Sequence, residues 1–116
     1  MRDVLIRLGT YPGVLGCLVA TSDGIVVESH LEDMDQDAAA ALVSSLLVHT
    51  ADLLDSDGCA RMDQLELRAS RGKIIVSDLG SAYLVVVTDR GLDLDQGRIE
   101  IKSAAKALRR MGQIHV

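Results

Sequence analysis

The sequence predicts a three-layer α/β/α sandwich built on a five-stranded, mostly antiparallel sheet, in the order α-β-β-α-β-β-β-α. Three observations carry this. Two blocks dense in turn signals flank one long stretch without Gly or Pro. Within each block, turn residues cut the chain into short apolar or alternating runs, the pattern of hairpins. Two of those runs, Val14–Ala20 and Ala82–Thr88, are apolar almost throughout, as strands covered on both faces are.

The elements follow in order. Met1–Leu8 reads as a short amphipathic helix with Val4, Leu5 and Leu8 on one side, and Gly9 is placed to end it. Pro12-Gly13 is a turn dipeptide, Pro presetting φ and Gly free to take a positive one. Val14–Ala20 is the first strand, Asp23-Gly24 a tight hairpin turn, and Ile25–Glu28 the returning strand. The acidic run Glu32–Asp37 leads into a long helix over Asp35–Leu54, with Asp35 or Asp37 able to cap its start. On a helical wheel its buried face is expected to hold Ala39, Leu42, Val43, Leu46, Leu53 and Leu54.

Asp55–Gly58 breaks that helix. Gln64–Ser70 alternates Leu65, Leu67 and Ala69 with Gln64, Glu66 and Arg68, a strand with one wet face. Ser70-Arg71-Gly72 turns the chain, Lys73–Ser77 returns, and after Gly80 comes the buried strand Ala82–Thr88. Beyond the polar loop Asp89–Asp93, a helix over Asp95–Met111 sets Ile101, Ala104, Ala105, Leu108 and Met111 on one face.

Composition excludes several functions. A chain of 116 residues is expected to fold as one domain spanning 1–116. Its only aromatic residues are Tyr11 and Tyr83, too few for base stacking on single-stranded nucleic acid. The formal charge of −5 argues against a phosphate-backbone partner, and no basic surface is expected. No apolar run approaches the roughly 18 residues of a membrane span, and the start lacks a signal-peptide core, so the expectation is a cytoplasmic protein without direct membrane insertion. Cys17 and Cys59 lack metal spacing and read as reduced thiols, Cys17 within a buried strand.

Pro12-Gly13-Val14-x-Gly16, then an apolar strand, then Ser22-Asp23-Gly24-x-x-Val27, resembles the opening of the Roadblock family. The likeness continues through the alanine-rich helix, the strand triplet and the closing helix. That family includes a dynein light chain, bacterial GTPase-activating partners of Ras-like gliding-motility GTPases, and scaffolds of Rag-type GTPases. The resemblance implies strand order 2-1-5-4-3 and dimers whose sheets join edge to edge.

Candidate chemistry is sparse. Ser45, His49 and Asp52 share one helical stripe, but a triad on one straight helix lacks oxyanion donors and a concave site, so a polar stripe is expected. Asp33-x-Asp35-x-Asp37 imitates a calcium loop, yet Ala38 stands where Gly is needed and Ser44 where Glu is needed. Asp52, Asp55 and Asp57 gather at a helix end as a solvated acidic patch, or as a contact for a basic partner. His30 and His115 have no ligands at metal spacing, and Gly58, Gly72 and Gly80 are isolated rather than a phosphate loop. No catalytic, cofactor or metal residue is expected.

Surfaces are more informative. Ala41, Ser44, Val48 and Ala51 put small and apolar groups on the outer side of the long helix, where a solvated face would carry Lys and Glu. Gln64–Ser70 lies at a sheet edge in the implied order and needs covering. Paired with its own copy about Leu67, it sets Glu66 against the partner's Arg68. The expected dimer interface is therefore Leu65, Glu66, Leu67, Arg68, Ala41 and Val48. The expected function is a homodimeric regulator of a Ras-like small GTPase, contacting it through Ser44, Ser45, Val48 and Asp52 and modulating GTP hydrolysis without chemistry of its own. No Arg here can be assigned a finger role. The alternatives are a scaffold or motor light-chain-like adaptor, and a small-molecule sensor of similar build.

Overall fold

The computed structural model describes residues 1–31, 35–54, 64–91 and 94–114, and within the helices it leaves out the side chains at 50, 51, 53, 54, 94, 95 and 112–114. Cys59, His115, Asp33, Asp55, Asp57 and Gly58 of the sequence reading, with the side chains of Ala51, Leu53 and Leu54, lie outside that description.

The elements are α1 (Arg2–Gly9), β1 (Val14–Thr21), β2 (Val26–Leu31), α2 (Gln36–Leu54), β3 (Gln64–Ala69), β4 (Gly72–Asp78), β5 (Ala82–Asp89) and α3 (Leu94–Ile114). They form one five-stranded sheet in the order β2-β1-β5-β4-β3. Every neighbouring pair is antiparallel.

Local chemistry explains the corners. Val14 N–H donates to the Tyr11 carbonyl at 3.0 Å, and Gly13 sits at φ 96, so Pro12-Gly13 makes a turn only glycine adopts without strain. The hairpin turn is longer than the tight one expected. Gly24 N–H closes on the Thr21 carbonyl at 3.0 Å, which makes Gly24 the last of four turn residues. Asp35, not Asp37, caps α2: its Oδ1 accepts from the N–H groups of Asp37 and Ala38, both at 3.1 Å.

Gly9 does not end α1 as expected. The helix runs through it and the cap is Thr10, whose Oγ1 donates to the Arg7 carbonyl at 2.9 Å. What Gly9 provides is space, since a Cβ there would lie 2.2 Å from His30 Cδ2.

The sheet separates two apolar layers. Between it and α1 and α3 lie Leu5, Leu8, Cys17, Val19, Ile75, Leu84, Val86, Ile101, Ala104, Ala105 and Leu108, with Met111 at the margin. On the other face α2 covers Leu18, Ala20, Val76 and Val85. The buried stripe of α2 is Ala40, Val43 and Leu47. The wheel expected Leu42 in that stripe; Leu42 is 59% exposed and Leu46 half-buried. Ala, Leu and Val occur all round α2, so polarity contrast alone could not fix its rotation. Packing did, by setting the small Ala40 against the sheet.

Candidate functional site

The two sheet edges are unlike. β2 pairs with β1 through a bulge, where Val19 faces Glu28 and Ala20 faces Val26, leaving Val27 unpaired. A bulge blunts an edge against further pairing. β3 has no such break: Gln64 through Ala69 face Ser77 through Gly72 in continuous register. Among the described residues nothing pairs with its outer backbone, which is a regular edge.

An apolar surface runs from that edge to α2. A groove of about 370 Å³ is walled by Leu15, Leu67, Ala69, Ile74 and Val87. A second, of about 320 Å³, lies between α2 and the sheet against Leu42, Val43, Ile74, Val85 and Val87. The two share Ile74 and Val87, so they are one continuous surface. Leu42, Leu15 and Leu67 remain 59%, 53% and 37% exposed on it.

Leu15 and Leu42 escaped the sequence reading. Leu15 sits where the β1–β5 register shifts between Val14 and Gly16, and no sequence signal marks that irregularity. Leu42 was assigned to the core. The wet and dry faces expected for β3 also divide differently. Leu65 packs against the α2-side core, but Leu67 and Ala69 are exposed because α2 does not reach over that end of the strand.

The other face of β3 is electrostatic. Glu66 accepts from Arg68 Nε at 3.2 Å and Arg98 Nη2 at 3.4 Å, with Lys73 Nζ at 3.8 Å. Arg68 and Arg98 stay largely in solvent, so their contacts each add roughly 0–1 kcal/mol.

On α2 the other expected residues fall into two groups. Ser44 is half-buried, and its Oγ donates to the Ser22 carbonyl at 2.8 Å, tying α2 to the β1–β2 turn. Ala41 flanks the same turn, its Cα 3.7 Å from where a Cβ on Gly24 would stand. Ser45, Val48, His49 and Asp52 are exposed. His49 Nδ1 donates to the Ser45 carbonyl at 2.7 Å, so this ring nitrogen serves the helix backbone rather than the Ser45 hydroxyl. Among the described residues, no group of three or more His, Cys, Asp or Glu is placed to hold a metal.

One expectation is overturned. α2 contains no Lys or Arg, whereas α3 exposes Lys102, Lys106 and Arg110, with Arg98 turned to Glu66 and Arg109 to the Asp78 carbonyl of the sheet. A basic surface therefore exists despite the net charge of −5. The sum over the chain conceals it because the fold sorts acids and bases into different layers.

This helix–sheet arrangement, with its open β3 edge, has known relatives. The family model of the Roadblock/LC7 domain matches residues 2–88. The chain belongs to the Roadblock/LC7 family. The uncharacterised protein MJ0714 of Methanocaldococcus jannaschii is 30% identical over 109 residues, covering 93% of this chain and 92% of that protein. Among solved structures, MglB in a tetrameric arrangement superposes with a TM-score of 0.88 at 26% identity, over 98% of this chain and 88% of that one. The gliding protein MglB of Thermus thermophilus gives 0.87 at 25% identity, over 96% and 87%. The Roadblock resemblance read from the turn, hairpin and helix order is thereby established, as is the strand order it implied.

Proposed function

We propose that this Roadblock/LC7 protein is a cytoplasmic homodimer that binds a Ras-like small GTPase in a nucleotide-dependent way and modulates its GTP hydrolysis. The observation that carries the reading is the apolar surface from Leu42 to Leu67, which ends on the regular β3 edge. Pairing two such edges antiparallel about a two-fold at Leu67 extends the sheet and keeps both α2 helices on one face. The same step brings the two grooves side by side and covers Leu15, Leu42 and Leu67. Arg68, exposed beside its own Glu66, then reaches the partner's Glu66.

The paired α2 helices form the platform for the GTPase. Ser45, Val48 and Asp52 point outward from it, while Ser44 holds the turn beneath. The protein adds no reacting group. It acts by preferring one switch state, because a ligand shifts a two-state equilibrium only through its differential affinity. The Roadblock resemblance supports this, since that family includes GTPase-activating partners and GTPase scaffolds.

The test uses the purified chain against candidate Ras-like GTPases loaded with GDP or a non-hydrolysable GTP analogue, with turnover measured in parallel. Tighter binding to the GTP form, with altered turnover lost in a Val48→Asp variant, supports the regulator. Equal affinity for both forms with unchanged turnover leaves the adaptor reading instead.

A further inference from the structure

The charges of this chain are sorted by layer. Lys102, Lys106 and Arg110 continue from Arg98 at intervals of four along α3, and Arg109 stands beside them, all exposed. Arg2 and Arg7 are exposed on the neighbouring α1. Successive like charges four apart repel one another within the helix, a cost that an external anion relieves.

Carboxylates in this layer do little to neutralise the face. The described, exposed residues of α3 include no Asp or Glu, and Asp3 is the exposed carboxylate of α1. Glu100 is half-buried in the crevice between α1 and α3, beside Arg7. Glu66 is already surrounded by Arg68, Lys73 and Arg98. Arg109 is fixed by two donations to the Asp78 carbonyl, at 2.9 and 2.6 Å, which hold α3 against the sheet.

Two large apolar side chains stand in the same layer. Ile99 on α3 is 58% exposed and Ile6 on α1 is 41% exposed. Arg98 and Arg109 turn toward the sheet, to Glu66 and the Asp78 carbonyl, which leaves Arg2, Arg7, Lys102, Lys106 and Arg110 as the outward cations. These five and the two isoleucines suit a peripheral membrane surface, where headgroups meet the charges and the first acyl carbons meet the apolar tips. Duplex DNA fits less well. Exposed isoleucines gain nothing against phosphates.

We infer that the α1/α3 layer docks on the anionic headgroup surface of a lipid bilayer, as a peripheral contact on the side of the sheet opposite α2. No helix among the described residues is long and apolar enough to cross the membrane, so the contact is adsorption. It does not depend on the dimer, because one protomer carries the whole face. Pairing at β3 would double it and leave the α2 side free for a protein partner.

Co-sedimentation of the full chain tests this, with vesicles of phosphatidylcholine alone or mixed with phosphatidylserine. Binding is expected only to the mixed vesicles and should fall as salt rises. Each cation near the surface contributes about fivefold in partitioning, so Lys102→Gln with Lys106→Gln should lower it about twenty-five-fold. Both lysines are exposed, and an unchanged thermal melt confirms that the variant folds. Ile99→Ser should weaken vesicle binding while leaving any binding to soluble polyglutamate or duplex DNA unchanged. Equal binding to both vesicle types, salt-independent binding of the unmodified chain, or insensitivity of a folded lysine variant would overturn the inference. So would tighter binding to polyglutamate or DNA than to vesicles, which assigns the face to another partner.

Discussion

Leu42→Asp separates the interface from the core, because the wheel and the structure give it opposite roles. Leu42 is 59% exposed in the protomer. Burying a leucine side chain fully stabilises by about 1.5–3 kcal/mol, so covering the part still exposed is worth about 1–2 kcal/mol. A two-fold axis repeats the contact, giving about 2–4 kcal/mol per dimer, or roughly 30- to 700-fold in Kd. Placing two carboxylates in that groove adds to the loss.

We predict that Leu42→Asp is monomeric at concentrations where the unmodified chain is dimeric, read by sedimentation equilibrium. Unfolding of the monomer in urea should change by no more than about 0.5 kcal/mol, as for an exposed site. Leu47→Asp is the contrast, since Leu47 is only 5% exposed in the α2-side core and the variant should fail to fold. An unchanged dimer in Leu42→Asp would refute the assignment of the Leu42–Leu67 surface. A monomer destabilised as strongly as Leu47→Asp would show that the wheel had placed Leu42 correctly.

Two further predictions concern single groups in the protomer. Gly9→Ala should destabilise by about 1–3 kcal/mol by overpacking, although alanine normally favours a helix by about 1 kcal/mol over glycine. His30→Ala should reverse that sign, because His30 is what a Cβ at position 9 would strike, at 2.2 Å; equal effects in both backgrounds, measured by urea midpoints, would contradict it. Burial pushes the Cys17 thiol up from its ordinary 9.0 to about 11. Between those pH values the unfolded chain loses a proton that the folded chain keeps, so stability is full below about pH 9 and falls as pH rises through that window. Cys17→Ala should remove this part of the fall, leaving a denaturation profile flatter between pH 9 and 11.

Most of the fold was legible because its signals are local. Pro12-Gly13 needs only its own backbone to make a turn, and Asp35 needs only the next N–H groups to cap α2. Runs such as Val14–Ala20 declare burial on both faces without reference to any partner. The failures all concern how an element is turned or approached by another. Gly9 looked like a helix terminator, yet its role is set by His30, a residue on a different element. Leu42 and Ala40 differ by only two positions in an apolar helix, and the choice between them belongs to the sheet beneath. Leu15 was part of an evenly apolar run, and only the shifted pairing of β1 with β5 brings it into the groove with Leu67.

The basic layer was the least legible feature, for a related reason. Net charge is a sum over the chain, whereas a binding surface depends on where each charge is carried. In a sandwich with α2 on one face and α1 and α3 on the other, the sheet keeps the two sets of helical charges on opposite sides. The Debye length is about 8 Å at physiological salt, so charges across the intervening layer are largely screened from one another outside the protein. A partner approaching α3 therefore meets Lys102, Lys106 and Arg110 and little of the acidic remainder. A partner approaching α2 meets Asp37, Asp52 and apolar groups without a single lysine or arginine on the helix. The same chain can thus present an anion-seeking face and an apolar, weakly acidic one, and a charge of −5 describes neither.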